Sequence, residues 1–253
     1  MTALEYCKSK ATWNCEPGKE HWRTAGTPIR GGAFVYVGGN TGLGTEHLDT
    51  TAPGGGHNAL QVYEHLVDTR ACYYEDTVMV PNLAKSWQVS ADGLTWTLKL
   101  DERVKWQNLP PVNGRALTSA DVGWMIDHQK KEGQLKSTWA PITHEEPDAQ
   151  TIILKLKDPD PDFLGNVLGE RLNVMMPREI KEQYNDFKTV AVGTGPYIMK
   201  QFIPNQIRLE ERNPNYREMG VDGKPLPYID RIEFPVLADL AAEIANIGPA
   251  VST

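Results

Sequence analysis

Asp92-Gly93-Leu94-Thr95-Trp96-Thr97-Leu98-Lys99-Leu100 carries the clearest period in the chain. The Asp-Gly pair is a turn signal, and Leu94, Trp96, Leu98 and Leu100 then fall on one face of a strand. A second run of the same kind is Thr151 to Lys157, with Ile152, Leu154 and Leu156 on one face after the turn-forming Glu146-Pro147-Asp148-Ala149. Between the two runs, Leu117-Thr118-Ser119-Ala120-Asp121-Val122 reads as a helix start. Thr118 and Asp121 can exchange bonds across the first turn, and Val122, Met125 and Ile126 supply a buried stripe. A helix set between two half-buried strands makes the fold class α/β or α+β.

The same reading extends outward. Ala33-Phe34-Val35-Tyr36-Val37 is a β-rich run after Gly31-Gly32, and His57 to Val67 reads as a helix with Leu60, Tyr63, Leu66 and Val67 on one stripe. Residues 163–185 look helical or mixed. Strands are expected at Tyr197 to Phe202, Ile207 to Glu211 and Ile229 to Val236, and an Ala-rich helix at Asp239 to Ile247. Residues 1–30 are polar and without a sustained period, as in a leader or an ordered arm.

The chain has 253 residues and a net charge of −7. That length buries about three quarters of the unfolded chain's surface, enough for a core without metal or disulfide support. Twenty-two glycines and 18 prolines favour many short elements over a helical bundle. The acidic balance argues against nucleic acid as a partner, because phosphate binding needs a basic face. No apolar run reaches the length of a membrane span. Of three cysteines, Cys7 and Cys15 are close enough in sequence to pair, with two free thiols as the alternative; Cys72 reads as a small core residue.

Catalytic and metal motifs are lacking: the chain has no phosphate loop, no dinucleotide glycine pattern, no HExxH, no CxxC and no Gly-x-Ser-x-Gly elbow. The six histidines are scattered and read as solvated or capping residues. One constellation has a physical argument for binding. Gly54-Gly55-Gly56 precedes the expected helix at His57, so backbone amides could gather there without Cβ obstruction and receive an anion or the main chain of an extended ligand. The alternative is a flexible surface loop.

Several stretches taken together resemble family 5 of the extracytoplasmic solute-binding proteins of ABC importers, which covers oligopeptide, dipeptide, nickel-chelate and some oligosaccharide binders. The residues carrying the resemblance are Gly31 to Tyr36, Tyr63-Glu64-His65-Leu66-Val67, Val80-Pro81-Asn82-Leu83-Ala84-Lys85-Ser86-Trp87, Asp92 to Leu98 and Leu117 to Val122. They continue with Val192-Gly193-Thr194-Gly195-Pro196-Tyr197, Arg212-Asn213-Pro214-Asn215-Tyr216 and Asp222-Gly223-Lys224-Pro225-Leu226-Pro227-Tyr228-Ile229-Asp230. Their order and spacing match from residue 31 to about 247.

The resemblance implies an α/β lobe of the type II periplasmic-binding-protein fold. Lobe I would occupy 31–237, with a main subdomain at about 31–60 plus 175–237 and a smaller one inserted at about 61–174. Residues 1–30 would be an arm or leader and 238–253 a truncated crossover, the second lobe and the signal sequence being absent from this chain. It also implies a peptide or other small solute, ABC permease membrane subunits as partners and a periplasmic or extracytoplasmic location at the membrane face. Capture by hinge closure would be the mechanism, with no catalysis, cofactor or metal. Gly54, Gly55, Gly56 and His57 are the expected ligand contacts, Trp139 a further one whose alternative is ordinary packing. A lobe lacking its return segment should leave one sheet edge open or covered by another segment, and should bind solute weakly. The rival function is a protein-interaction or sensory module that reuses the lobe without a transport role.

Overall fold

The computed structural model describes residues 27–36, 38–39, 46–55, 59–73 and 76–237. The two alternating runs pair as expected of half-buried strands. Strand β6 (Thr95–Leu100) sits antiparallel to β8 (Thr151–Lys155), with Leu98 opposite Ile152 and Trp96 opposite Leu154. Strands β5 (Ala84–Val89) and β7 (Thr143–Asp148) flank them, giving the order β5-β6-β8-β7. Helix α1 (Ser119–Lys131) covers the apolar face, bringing Val122, Met125 and Ile126 against Leu98, Leu100, Ile152 and Leu154 in one core. Its start is fixed by Asp121, whose carboxylate accepts the Thr118 amide at 2.8 Å and the Thr118 hydroxyl at 3.1 Å. Arg115 binds Asp121 and Glu179 with both arms of its guanidinium, tying α1 to the first turn of α3 (Arg178–Tyr184).

The second sheet is built from both ends of the described chain. Strand β1 (Ala33–Val35) runs parallel to β11 (Arg231–Leu237), which β2 (Gly38–Gly39) also pairs, and β10 (Ile207–Arg212) and β9 (Tyr197–Ile203) follow antiparallel. The chain thus leaves this sheet after β2 and returns at β9, having formed the four-stranded sheet in between. Among the described residues, β1 and β9 lie at its two edges, and Phe34, Val35 and Tyr36 on the β1 side are exposed. Arg30 fastens the approach to β1. Its guanidinium grips both Asp222 oxygens, at 2.5 and 2.7 Å, and holds that carboxyl well below the usual range.

The helix expected from His57 to Val67 does not form over its described part. Val62 and Tyr63 donate to the Ala59 carbonyl in a single turn, His65 bridges Val174, and Val67 opens β3 (Val67–Tyr73), which pairs with β4 (Asp76–Pro81). The reason lies in where the carbonyls go. Those of Gln61, Val62, Glu64, His65 and Leu66 accept amides of Tyr197, Gly195, Met175, Leu83 and Ala84. A helix ending at Val67 would have used the Gln61 and Val62 carbonyls internally, so tertiary pairing overrides the local stripe. Tyr63, Leu66 and Val67 are still buried, as the apolar pattern requires. Residues 163–185 are mixed, with a π-helical turn at Leu164–Leu168 followed by α3. Cys7, Cys15 and the helix expected at Asp239 to Ile247 lie outside the described residues, and Cys72 is in β3.

Candidate functional site

The glycine loop is held by side chains that the sequence did not single out. Asp49 accepts the Thr51 amide at 2.9 Å and the Thr51 hydroxyl at 2.6 Å, which curls the backbone at 49–51. The Thr51 hydroxyl also lies 3.2 Å from His128 Nε2, near the end of α1. His128 is buried, stacked on Trp124 at 5.3 Å and edge-on to Phe187, and burial lowers its pKa. It is therefore neither the solvated nor the capping residue that its scattered position suggested. Gln134 binds the loop from the same side, its amide donating to the Thr51 carbonyl and its side chain to that of Thr50. The signal available in the sequence was the continuation of the α1 stripe to positions 128 and 129, both buried.

Gly54 and Gly55 are needed here for two different reasons. Gly54 adopts φ +94°, a left-handed conformation that disfavours a side chain. At Gly55 a Cβ would stand 1.7 Å from the Asp49 carbonyl oxygen. The loop closes so tightly on its own start that only a glycine fits. Gly55 is accordingly buried. Gly56 and His57 lie outside the described residues.

Trp139 is placed in the interior. It ends α2 (Lys136–Trp139), is 2% exposed, and donates its indole N–H to Asn173 Oδ1 at 2.8 Å. Asn173 in turn donates to the Val167 carbonyl at 2.6 Å. A large apolar ring with its one polar atom satisfied is a packing residue. Gln134 brings the start of this segment to the glycine loop, yet the Trp139 ring faces away from open space. Trp139→Phe is expected to lower stability by about 1 kcal/mol, because the buried Asn173 oxygen loses its donor. Urea unfolding followed by circular dichroism checks it, and an unchanged midpoint would show that the pair adds nothing.

The family model for bacterial extracellular solute-binding proteins, family 5 middle, matches residues 78–247. The chain belongs to this family. Among family relatives, a putative ABC transporter peptide-binding protein of Brucella ovis is 32% identical over 236 residues, which is 88% of this chain and 40% of the relative. The nickel-binding periplasmic protein of Escherichia coli K12 is 30% identical over 181 residues, covering 70% of this chain and 32% of that protein. The chain thus spans about 40% of the length of the first of these curated relatives. Of solved structures, the periplasmic binding protein DppA from Helicobacter pylori, in complex with the peptide STSA, superposes with a TM-score of 0.73 at 22% identity. That match covers 87% of this chain and 45% of DppA. The oligopeptide-binding protein AppA from Bacillus subtilis, in complex with a nonapeptide, gives 0.70 at 24% identity, covering 87% and 43%. These likenesses establish the fold as of the type II periplasmic-binding-protein class.

Proposed function

We propose that this family-5 chain contributes to solute capture in an ABC import system, with peptide as the solute. The family match over residues 78–247 carries the reading. The names of the Brucella relatives and the peptides bound to DppA and AppA favour peptide over the nickel of another relative, and the glutathione of a further one is itself a tripeptide. In this reading residues 31–60 and 175–237 form the main subdomain, with 61–174 inserted, and the captured solute is passed to permease subunits on the periplasmic or extracytoplasmic side of the membrane.

The Gly54–His57 segment is the proposed peptide contact. An extended ligand would pair main chain to main chain with this segment, and main-chain hydrogen bonding accepts many sequences. The Thr51–His128 and Gln134–Thr50 contacts anchor residues 50–51, just before this segment, which reduces the ordering cost of binding. Binding and release require no covalent step.

Nitrogen-15 amide spectra of the chain, titrated separately with a tetrapeptide, glutathione and nickel chloride, test this. The tetrapeptide is expected to shift the resonances of Gly54, Gly55, Gly56 and His57 saturably, with the other two solutes weaker there. Shifts confined to other parts of the chain would remove the loop from the site. Preference for nickel at the loop would overturn the peptide reading.

A further inference from the structure

A cavity of about 700 Å³ lies apart from the glycine loop, between an excursion of the chain at residues 103–114 and the turn at 213–217. Its floor is rigid. Gln107 donates to the Tyr197 carbonyl at 2.7 Å and exchanges main-chain and side-chain bonds with Gly193, while Asn213 reaches the Gly195 carbonyl at 3.1 Å. At Gly193 a Cβ would stand 1.9 Å from the Val62 carbonyl, so this floor is packed directly on the backbone of the 61–66 segment. The outer wall turns back through Asn113 and Gly114, both at positive φ, where the Gly114 amide returns to the Gln107 carbonyl.

The polar groups facing this space are largely unspent. Among the described residues, the side chains of Lys105, Asn108 and Asn215 make no hydrogen bond or ion pair. The Thr194 hydroxyl and the Trp106 indole nitrogen also lack a partner among the described residues, but both are buried beneath the wall and do not open onto the space. Lys105, Asn108 and Asn215 are exposed, and a cavity wall that offers free donors without an opposing carboxylate fits a polar ligand. The charge is equally one-sided. Arg103 and Arg217 are neutralised from behind by Asp101 and Glu64, at 2.6 Å in each case, whereas Lys105 keeps its charge uncompensated. No carboxylate is among the described residues lining the space.

We propose that this cavity is a second small-molecule site that takes a monoanionic, hydroxyl-rich molecule of the sugar-acid class. Lys105 receives the carboxylate, and the amides of Asn108 and Asn215 bond the hydroxyl groups. The volume is within the range of small-molecule pockets. Free amino acids and peptides are disfavoured, because their ammonium group finds no acceptor carboxylate on the wall. The site is independent of the proposed import role, since it shares no residue with the Gly54–His57 loop.

Gluconate titrated calorimetrically into the chain is the test, with glucitol as the same polyol lacking the carboxylate and acetate as the carboxylate lacking the polyol. Gluconate is expected to saturate one site at millimolar concentrations or below. Glucitol and the Lys105→Met variant should each bind about tenfold more weakly, the effect of one charge-assisted hydrogen bond. Asn215→Ala should weaken gluconate with no change in the thermal unfolding midpoint, which separates loss of contact from loss of fold. Absence of gluconate binding, equal binding of acetate, or full retention of affinity in Lys105→Met would each overturn the assignment. An excess of tetrapeptide should leave gluconate binding unchanged, and displacement would mean that the two ligands compete for one place.

Discussion

Arg217→Met is expected to destabilise the fold by about 3–5 kcal/mol, the cost of removing one member of a buried ion pair. The Arg217 and Glu64 side chains are only 8% and 6% exposed, and Nη1 sits 2.6 Å from the Glu64 carboxylate. The other arm of the guanidinium binds Asn82 at 2.5 Å, and the Tyr216 hydroxyl donates to Glu64 at 2.8 Å. Burial works against the charge on Arg217, but the facing Glu64 overrides it and leaves its pKa above the ordinary value. Burial, with Glu64 beside it, likewise pushes the Tyr216 phenol up, so it stays a donor. Methionine keeps most of the stem volume and leaves the buried Glu64 without its countercharge, with the Tyr216 hydroxyl as a hydrogen-bond donor. Urea titration read by tryptophan fluorescence gives the difference in unfolding free energy. The double variant Glu64→Met with Arg217→Met should lose much less than the sum of the single losses, since both charges then leave together. A loss below about 1 kcal/mol for Arg217→Met would place the pair with ordinary surface bridges.

That network also explains what the sequence could reveal. The two alternating runs and the Thr118–Asp121 helix start were legible because each depends on neighbours along the chain: period-two burial in Trp96, Leu98 and Leu100, and a cap three residues long. The stretch from 57 to 67 was not. Its stripe of Tyr63, Leu66 and Val67 has helical spacing and is buried, yet its carbonyls are claimed by segments near residues 83, 175 and 195. Periodicity reports which side chains are buried but is silent on which distant amides arrive. The β3–β4 hairpin was missed for a related reason, its first residue having been absorbed into the helical stripe. At the candidate site, three adjacent glycines marked a special backbone, correctly for Gly54 and Gly55. The cause at Gly55 is close approach of the loop to its own Asp49 carbonyl, which only the folded loop displays. Trp139 illustrates the limit from the other side, because a lone tryptophan outside any stripe finds its partner, Asn173, 34 residues later.

Strand β10 offers the sharpest departure from its own pattern, and a pH dependence follows from it. In Ile207-Arg208-Leu209-Glu210, alternation alone would bury Ile207 and Leu209 and leave the charges in water. Instead Arg208 is 7% exposed and Glu210 fully buried, 3.2 Å apart, with the Arg208 guanidinium 3.6 Å above the Phe234 ring. Burial raises the Glu210 carboxyl to about 7 from its ordinary 4.5, and the attraction of Arg208 offsets only part of that. The folded state therefore holds this proton more tightly than the unfolded chain does. Stability from this group is fully present below about pH 4.5 and is lost as the pH rises through about 7. The shift corresponds to about 3 kcal/mol across that window. Glu210→Gln cannot titrate. The stability of the native sequence relative to Glu210→Gln should thus fall by about 3 kcal/mol between pH 4.5 and 8 and level off at either end. Denaturant unfolding of both proteins at half-unit pH steps measures the difference directly. A difference that stays constant with pH would mean that Glu210 titrates alike in the folded and unfolded chain, and a difference that grows with pH would mean that Arg208 dominates over burial.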